Sequence, residues 1–276
     1  DGIRIAFSSD RALTGGNGVY EVSFEVGVWA GDVVKRAVNG DTGEISDTVA
    51  WSAEEQLRKK MTRNATQKAD HSLRTIYTYD AGTQDKLKPF LWDDLSDVNQ
   101  AFLSLDHING KLSQFCSSGV TCLGDDAKLL ASGKNLLNFL RGDNSNEGDI
   151  DNLAAFYRKR STSTKDGLLH RPLGDIAGSE AVYVQAPPWN YVDKQYSEFK
   201  AARKDRTAMV YVGANDGMLH AFEADTGKEA WAYVPALVFS RLYQLADKSY
   251  AGRHLFTVDG TPVMGDICAD SAANCA

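Results

Sequence analysis

Asp143, Ser145, Glu147, Asp149 and Asp151 carry side-chain oxygens at alternate positions, with Gly148 among them. That spacing copies the first half of a calcium loop, where a glycine at the sixth place lets the chain wrap round a hard cation. The twelfth place, which needs a bidentate glutamate, is Ala154. Calcium is the candidate ligand of these five residues, and a solvated acidic turn is the alternative. The stretch is preceded by Arg141 and Gly142, which with Asp143 form the Arg-Gly-Asp tripeptide that integrins bind through its carboxylate and guanidinium. A plain helix end competes with that role: Gly142 as the left-handed terminator, Arg141 at the negative end of the helix dipole and Asp143 opening a turn.

Other chemistry is sparse. His71, His107, His170, His220 and His254 are scattered, with no His-Glu-x-x-His and no two on one expected helical face. There is no Gly-x-Ser-x-Gly, no phosphate loop and no dinucleotide fingerprint, so no catalytic residue is assigned. Arg158-Lys-Arg160 is an isolated basic stretch. A net charge of −7 argues against nucleic acid or anionic lipid as a partner of the whole chain. No run reaches the eighteen or so apolar residues of a membrane helix. The chain begins and ends mid-pattern with no signal segment, as expected of a piece of something longer.

The cysteines form two local pairs, Cys116 with Cys122 and Cys268 with Cys275. Proximity favours a disulfide within each pair and hence an oxidising compartment. Zinc competes for four thiolates, although neither pair has the two-residue gap of a zinc knuckle.

The elements that must position these groups carry a repeat. Asp32 is followed nine residues later by Asp41, Thr42 and Gly43, and Asp216 by Asp225, Thr226 and Gly227. A tryptophan follows each turn, Trp51 and Trp231. In such a turn the Asp and Thr side chains tie the backbone and glycine supplies the left-handed position. Around the second copy, Val210 and Val212, then Leu219, Ala221 and Phe222, flank a tight turn, and Glu229 to Tyr233 alternates as a third strand. A meander this short must stack on like units or on a second sheet. Blades repeated round an axis meet that need; the alternative is that Asp-Thr-Gly is a common turn over which any two hairpins can be laid.

The fold expected is mainly β, a partial β-propeller with quinoprotein-like blades and an α-helical insertion. Residues 1–51 supply the first strands, 52–170 the helices and loops, and 171–276 further blades. Strands are expected at Gly2–Phe7, Val19–Trp29, Leu73–Tyr79, Val182–Val184 and around Phe256 and Val263. Ser52 to Glu55 is a capping box opening a helix through Leu57 and Met61. Helical spacing recurs over Asp94–Leu105, Leu129–Leu140 with a break at Ser132-Gly133, Tyr196–Arg206 and Leu237–Leu245.

Tyr211 to Phe222, with Asp225-Thr226-Gly227 and Trp231, resembles the C-terminal β-propeller of the PilC/PilY family of type IV pilus tip-associated adhesins. Trp29 to Asp32, the turn before Trp51, Arg74 to Tyr77, Leu140 to Gly148 and Arg171 to Ile176 extend the likeness in the same order. The resemblance implies a protein exported through the periplasm to the bacterial surface and the pilus tip. It implies minor pilins as partners, a role in pilus extension against retraction, and attachment to host-cell receptors, integrins included, or to abiotic surfaces. Some members carry a calcium loop. Ala224 to Trp231 is also similar to the tryptophan-docking repeat of quinoprotein dehydrogenases, so a fragment of an enzyme using pyrroloquinoline quinone is the alternative; that motif reports architecture and not chemistry.

Overall fold

Alternation of apolar and polar residues at period 2 puts β1 (Arg4–Ser8), β2 (Gly18–Glu25), β3 (Ala30–Val38) and β4 (Ile45–Ser52) side by side in that order, all antiparallel. The computed structural model describes residues 4–8, 18–62, 69–165, 167–192 and 195–266. Downstream come β5 (Ile76–Tyr79) and β6 (Leu87–Pro89), then the short pairs β7 (Glu147–Gly148) with β8 (Tyr157–Arg158) and β9 (Ser161–Thr164) with β10 (Gly167–His170). The last four are β11 (Val182–Val184), β12 (Met209–Ala214), β13 (Met218–Glu223) and β14 (Glu229–Val234).

The meander β11-β12-β13-β14 is antiparallel throughout. Its far edge is extended by β5, which pairs parallel with β14, and by β6. Residues 52–170 therefore lend two strands to the sheet formed by the C-terminal third.

Opposed residues in a ladder share a face. Tyr20, Lys35 and Trp51 lie in one row of the first sheet, with Val22 and Val33 in the next. That face packs on Tyr183, Val210, Val212 and Phe222 of the second sheet in a single apolar core, and the rings of Tyr20 and Tyr183 stack at 6.1 Å. The opposite face of the second sheet, with Val182, Tyr211, Trp231 and Tyr233, is only half-buried.

The helices cover a second core. α1 (Ala53–Met61) starts where its capping box predicts: the Ser52 hydroxyl accepts from the Glu55 amide, and Leu57 and Met61 are buried. The single helix expected over Asp94–Leu105 is instead α2 (Asp97–Ala101) and α3 (Leu105–Ile108), because Ser104 takes extended backbone and starts a new turn. α4 (Asp125–Leu130) and α5 (Lys134–Leu140) are divided at Gly133, whose φ is +61°. The 3₁₀ segment Ala236–Ala246 packs Phe239 and Leu242 against the α5 residues Leu136, Leu137 and Phe139. α6 (Tyr196–Arg203) lies on the β11–β12 connection. No strand forms around Phe256 and Val263, where the Thr257 amide bonds the Asn215 side chain in place of a neighbouring strand.

Candidate functional site at the joint between the sheets

The two Asp-Thr-Gly turns have the same hydrogen-bond skeleton. Gly43 N donates to Asn39 O at 2.8 Å and Gly227 N to Glu223 O at 2.8 Å; Asn39 N donates to Glu44 O at 2.8 Å and Glu223 N to Lys228 O at 2.9 Å. The threonines act alike, Thr42 Oγ1 accepting from Glu44 N at 3.3 Å and Thr226 Oγ1 from Lys228 N at 3.2 Å. Gly43 and Gly227 have φ of +73° and +70°, a conformation glycine adopts without a Cβ penalty. The side-chain tie expected from Asp41 comes from Asn39 instead, whose Oδ1 accepts from the Asp41 and Thr42 amides.

The second turn is where the sheets join. Ala224 O accepts from Trp51 Nε1 at 3.0 Å, Lys35 Nζ at 3.0 Å and Tyr20 Oη at 3.4 Å. The Lys35 ammonium also lies 3.8 Å from the exposed Asp225 carboxylate. The Trp51 indole covers Gly227 so closely that a Cβ there would stand 2.5 Å from Cε3. Trp231 does not take the matching place in its own sheet. Trp51 opposes Lys35, whereas the residue nine before Lys228, Leu219, opposes Tyr233. Trp231 lies two pairs along, opposite Ala221 on the half-exposed face, its ring 5.8 Å from that of Tyr211. Trp51 follows its turn glycine by eight residues and Trp231 by four, and the β3–β4 ladder has two register shifts where the β13–β14 ladder has one, so the two tryptophans fall at different places in register.

Behind the joint lies a buried charge cluster. Arg74 holds Glu229 in a two-pronged pair, Nη2 to Oε1 at 2.6 Å and Nε to Oε2 at 3.0 Å. His220 sits between two carboxylates, Nδ1 at 3.0 Å from Glu229 Oε1 and Nε2 at 3.1 Å from Asp216 Oδ2. Burial alone would push His220 down, but Asp216 and Glu229 outweigh it and hold its pKa up at about 9. Burial likewise works to raise Glu229, and Arg74 and His220 overcome it, keeping the carboxyl well below its usual range. His220, Glu229 and Arg74 are buried, and their mutual bonds tie β13, β14 and the β5 approach together.

The Asp that opens each repeat anchors something different. Asp32 accepts from the Ser52 hydroxyl at 2.7 Å and the Glu54 amide at 3.0 Å, fixing the start of α1. Asp216 accepts from Gly174 N at 3.2 Å and Met218 N at 3.2 Å, pinning the 173–176 segment to the β12–β13 turn.

The Arg-Gly-Asp tripeptide is built into the interior. Arg141 is 2% exposed and its guanidinium donates to the carbonyls of Phe90, His71 and Arg74, at 2.8 to 3.1 Å. Its own carbonyl accepts from Arg74. The exposed presentation that receptor binding requires is therefore not the arrangement found for Arg141, because the end of α5 packs against the β5 and β6 approaches. Gly142 ends α5 with φ of +112°, and its carbonyl meets His170 Nε2 at 3.2 Å. Asp143 faces His71 at 3.5 Å and accepts from the Ser145 amide.

The five residues proposed for calcium do not converge. Glu147 is held by Arg160 at 2.6 Å, Asp149 by Lys159 at 3.2 Å, and Asp143 by the partners above. Among the described residues no group of three or more His, Cys, Asp or Glu side chains is placed to hold a metal ion. Ala154, at the place a calcium loop gives to glutamate, offers no ligand oxygen from its side chain. Cys116 and Cys122 form a disulfide; Cys268 and Cys275 lie outside the described residues.

Sequence reasoning passed over His220, Glu229, Arg74 and Lys35. Period 2 places His220 with Phe222 on the buried face, a signal that a charged partner must be nearby. Nothing local says that Glu229 and the distant Arg74 supply it.

Residues 173–275 match the family model described as the PilY1 beta-propeller domain. The chain is 33% identical over 246 residues to the type IV pilus biogenesis factor PilY1 of Pseudomonas aeruginosa (strain PAK), covering 86% of this chain and 18% of that protein. A PilY1 homolog of Xylella fastidiosa is 40% identical over 152 residues, 52% of this chain and 11% of that protein. The chain thus spans less than a fifth of the length of the curated relatives it matches. No solved structure matches it. With strands predominating, two stacked sheets and no closed barrel among the described residues, the fold is a partial β-propeller.

Proposed function

Because residues 173–275 belong to the PilY1 beta-propeller domain family, we propose that this chain is the opening part of the propeller of a type IV pilus biogenesis factor. It works as a rigid binding module. The observation that carries this role is the coincidence of the family match with two Asp-Thr-Gly modules joined through Trp51 and Ala224. Stacked sheets hold loops in fixed positions, which suits a surface that must engage partners under load.

Its partners are minor pilins at the pilus tip, its effect is to favour pilus extension over retraction, and its loops attach the cell to host or abiotic surfaces. The disulfide Cys116–Cys122 suits export through the periplasm to the cell surface. We read the module as non-catalytic, since His220, Asp216 and Glu229 are spent on one another and on Arg74. We assign the adhesive contact to the exposed loops and give Arg141 an internal, structural task.

The test uses the full-length protein in its own host. Trp51→Ala, which opens the joint, is expected to reduce sheared surface pili and adhesion, with piliation returning when the retraction motor is also removed. Normal piliation and adhesion from a strain whose module is shown to be unfolded would sink the proposal.

A further inference from the structure

Three arginines meet at one small cavity. Arg158, Arg160 and Arg171 line it with Trp29, Gly174 and Asp216, and its volume of about 10 Å³ holds one water-sized centre. Apolar side chains from the end of α5 and from the 3₁₀ segment form much of the remaining wall. Guanidiniums gathered round a void of low polarity repel one another unless carboxylates offset them.

Two of the three have carboxylates. Arg160 bonds Glu147 at 2.6 Å, and Arg171 lies 3.2 Å from Glu25 and 3.3 Å from Glu54. Asp216, which also borders the cavity, is committed to His220 at 3.1 Å. Arg158 has no carboxylate within 4 Å among the described residues. Its Nε donates to Leu245 O at 2.7 Å and its Nη1 to Val28 O at 3.1 Å, both neutral acceptors, and its guanidinium lies 4.3 Å over the Tyr250 ring. Donors are left over on all three side chains. Nη2 of Arg158, Nη1 of Arg160 and Nη2 of Arg171 bond nothing among the described residues. The buried Nε of Arg171 has no hydrogen-bonded acceptor either. Burial, and then the charge of Arg160, pull Arg158 down to about 10, so it stays charged at neutral pH without a counter-charge. An ion held in such a place is costly until something of opposite sign joins it.

We propose that this cavity is an anion site whose ligand is a single halide ion of chloride size, held by the free guanidinium N–H groups of Arg158, Arg160 and Arg171. The volume suits a monatomic ion and not sulfate or phosphate, whose tetrahedron of oxygens is larger than one water. Bound there, the ion ties together the β2–β3 turn at Trp29, the 171–174 segment and β8, since residues of each border the cavity. The site goes beyond the pilus reading and does not depend on it.

The test titrates chloride against gluconate at constant pH and ionic strength and follows the melting temperature of the full-length protein. A saturating rise of a few degrees is expected, because a ligand that binds only the folded state stabilises it by mass action. Bromide should act alike. Arg158→Met removes the unpaired charge and is expected to abolish the response to chloride. Crystals of the unaltered protein in bromide should show an anomalous peak in the cavity, and that map decides the matter if Arg158→Met fails to fold. A melting temperature indifferent to the anion at fixed ionic strength, a full chloride response in folded Arg158→Met, or a water alone in the cavity of the bromide crystals would each overturn the site. Piliation is read in none of these experiments.

Discussion

Trp51 and Gly227 lie 176 residues apart in sequence and in van der Waals contact in the fold, the indole flat over the one residue of its turn that has no side chain. Ala224 O, three residues earlier, accepts the indole N–H at 3.0 Å. Shape and hydrogen bonding thus act at one point, and the two sheets are fixed in orientation as well as in distance.

Trp51→Ala is expected to cost about 3–5 kcal/mol, the usual range for emptying a buried aromatic site. Trp51→Phe keeps most of the packing and forfeits the bond to Ala224, a loss of about 1 kcal/mol. Denaturant unfolding of both variants separates the two contributions. Equal losses would show that the hydrogen bond, and not the packing, dominates the joint.

Glu229→Gln leaves the buried Arg74 guanidinium without its carboxylate, and breaking a buried pair from one side costs about 3–5 kcal/mol. Arg74→Met together with Glu229→Leu removes both charges, and part of the loss should return. The double-mutant cycle checks this, although His220 must then lean on Asp216 alone.

His220 gives a signed pH dependence. Its folded pKa of about 9 lies above the unfolded value of about 6.5, so its contribution is complete below pH 6.5 and is lost as pH rises through 9. The span corresponds to ~3 kcal/mol. His220→Gln should remove that alkaline slope in melting temperatures taken from pH 6 to 10.

His170 acts on the other side. Burial pushes it down to about 4, so the stability it contributes is present above pH 6.5 and is lost as pH falls towards 4. Glu54 opposes this: burial raises it to about 7, and its contribution, full below about pH 4.5, fades as pH climbs to 7. His170→Gln should flatten the acid limb of stability and Glu54→Gln should steepen it, as read from unfolding free energies between pH 4 and 7.

Arg141→Ala strips the donor from three carbonyls and should destabilise the fold by about 2–4 kcal/mol, in line with a buried charged hydrogen-bond network. Asp143→Glu should leave both folding and integrin-dependent adhesion unchanged, because Arg141 is not presented. Adhesion lost in a stably folded Asp143→Glu protein would restore the tripeptide as a receptor site.

The sequence by itself determined the local geometry. Asp-Thr-Gly, the capping box at Ser52 and the alternation on β12 to β14 specify turns, a helix start and buried faces through contacts a few residues long, and each appears where its residues stand. The disulfide Cys116–Cys122 was legible for the same reason, as a six-residue separation needs no tertiary partner. Tertiary structure alone decided which tryptophan docks, because strand register, and not the count of residues after a turn, sets Trp51 opposite Lys35 and Trp231 opposite Ala221. It also decided that Arg141 turns inward and that β5 joins the far sheet beside β14. A guanidinium's exposure and a parallel strand's partner depend on chain segments tens to hundreds of residues away, and no local pattern encodes which of them will arrive.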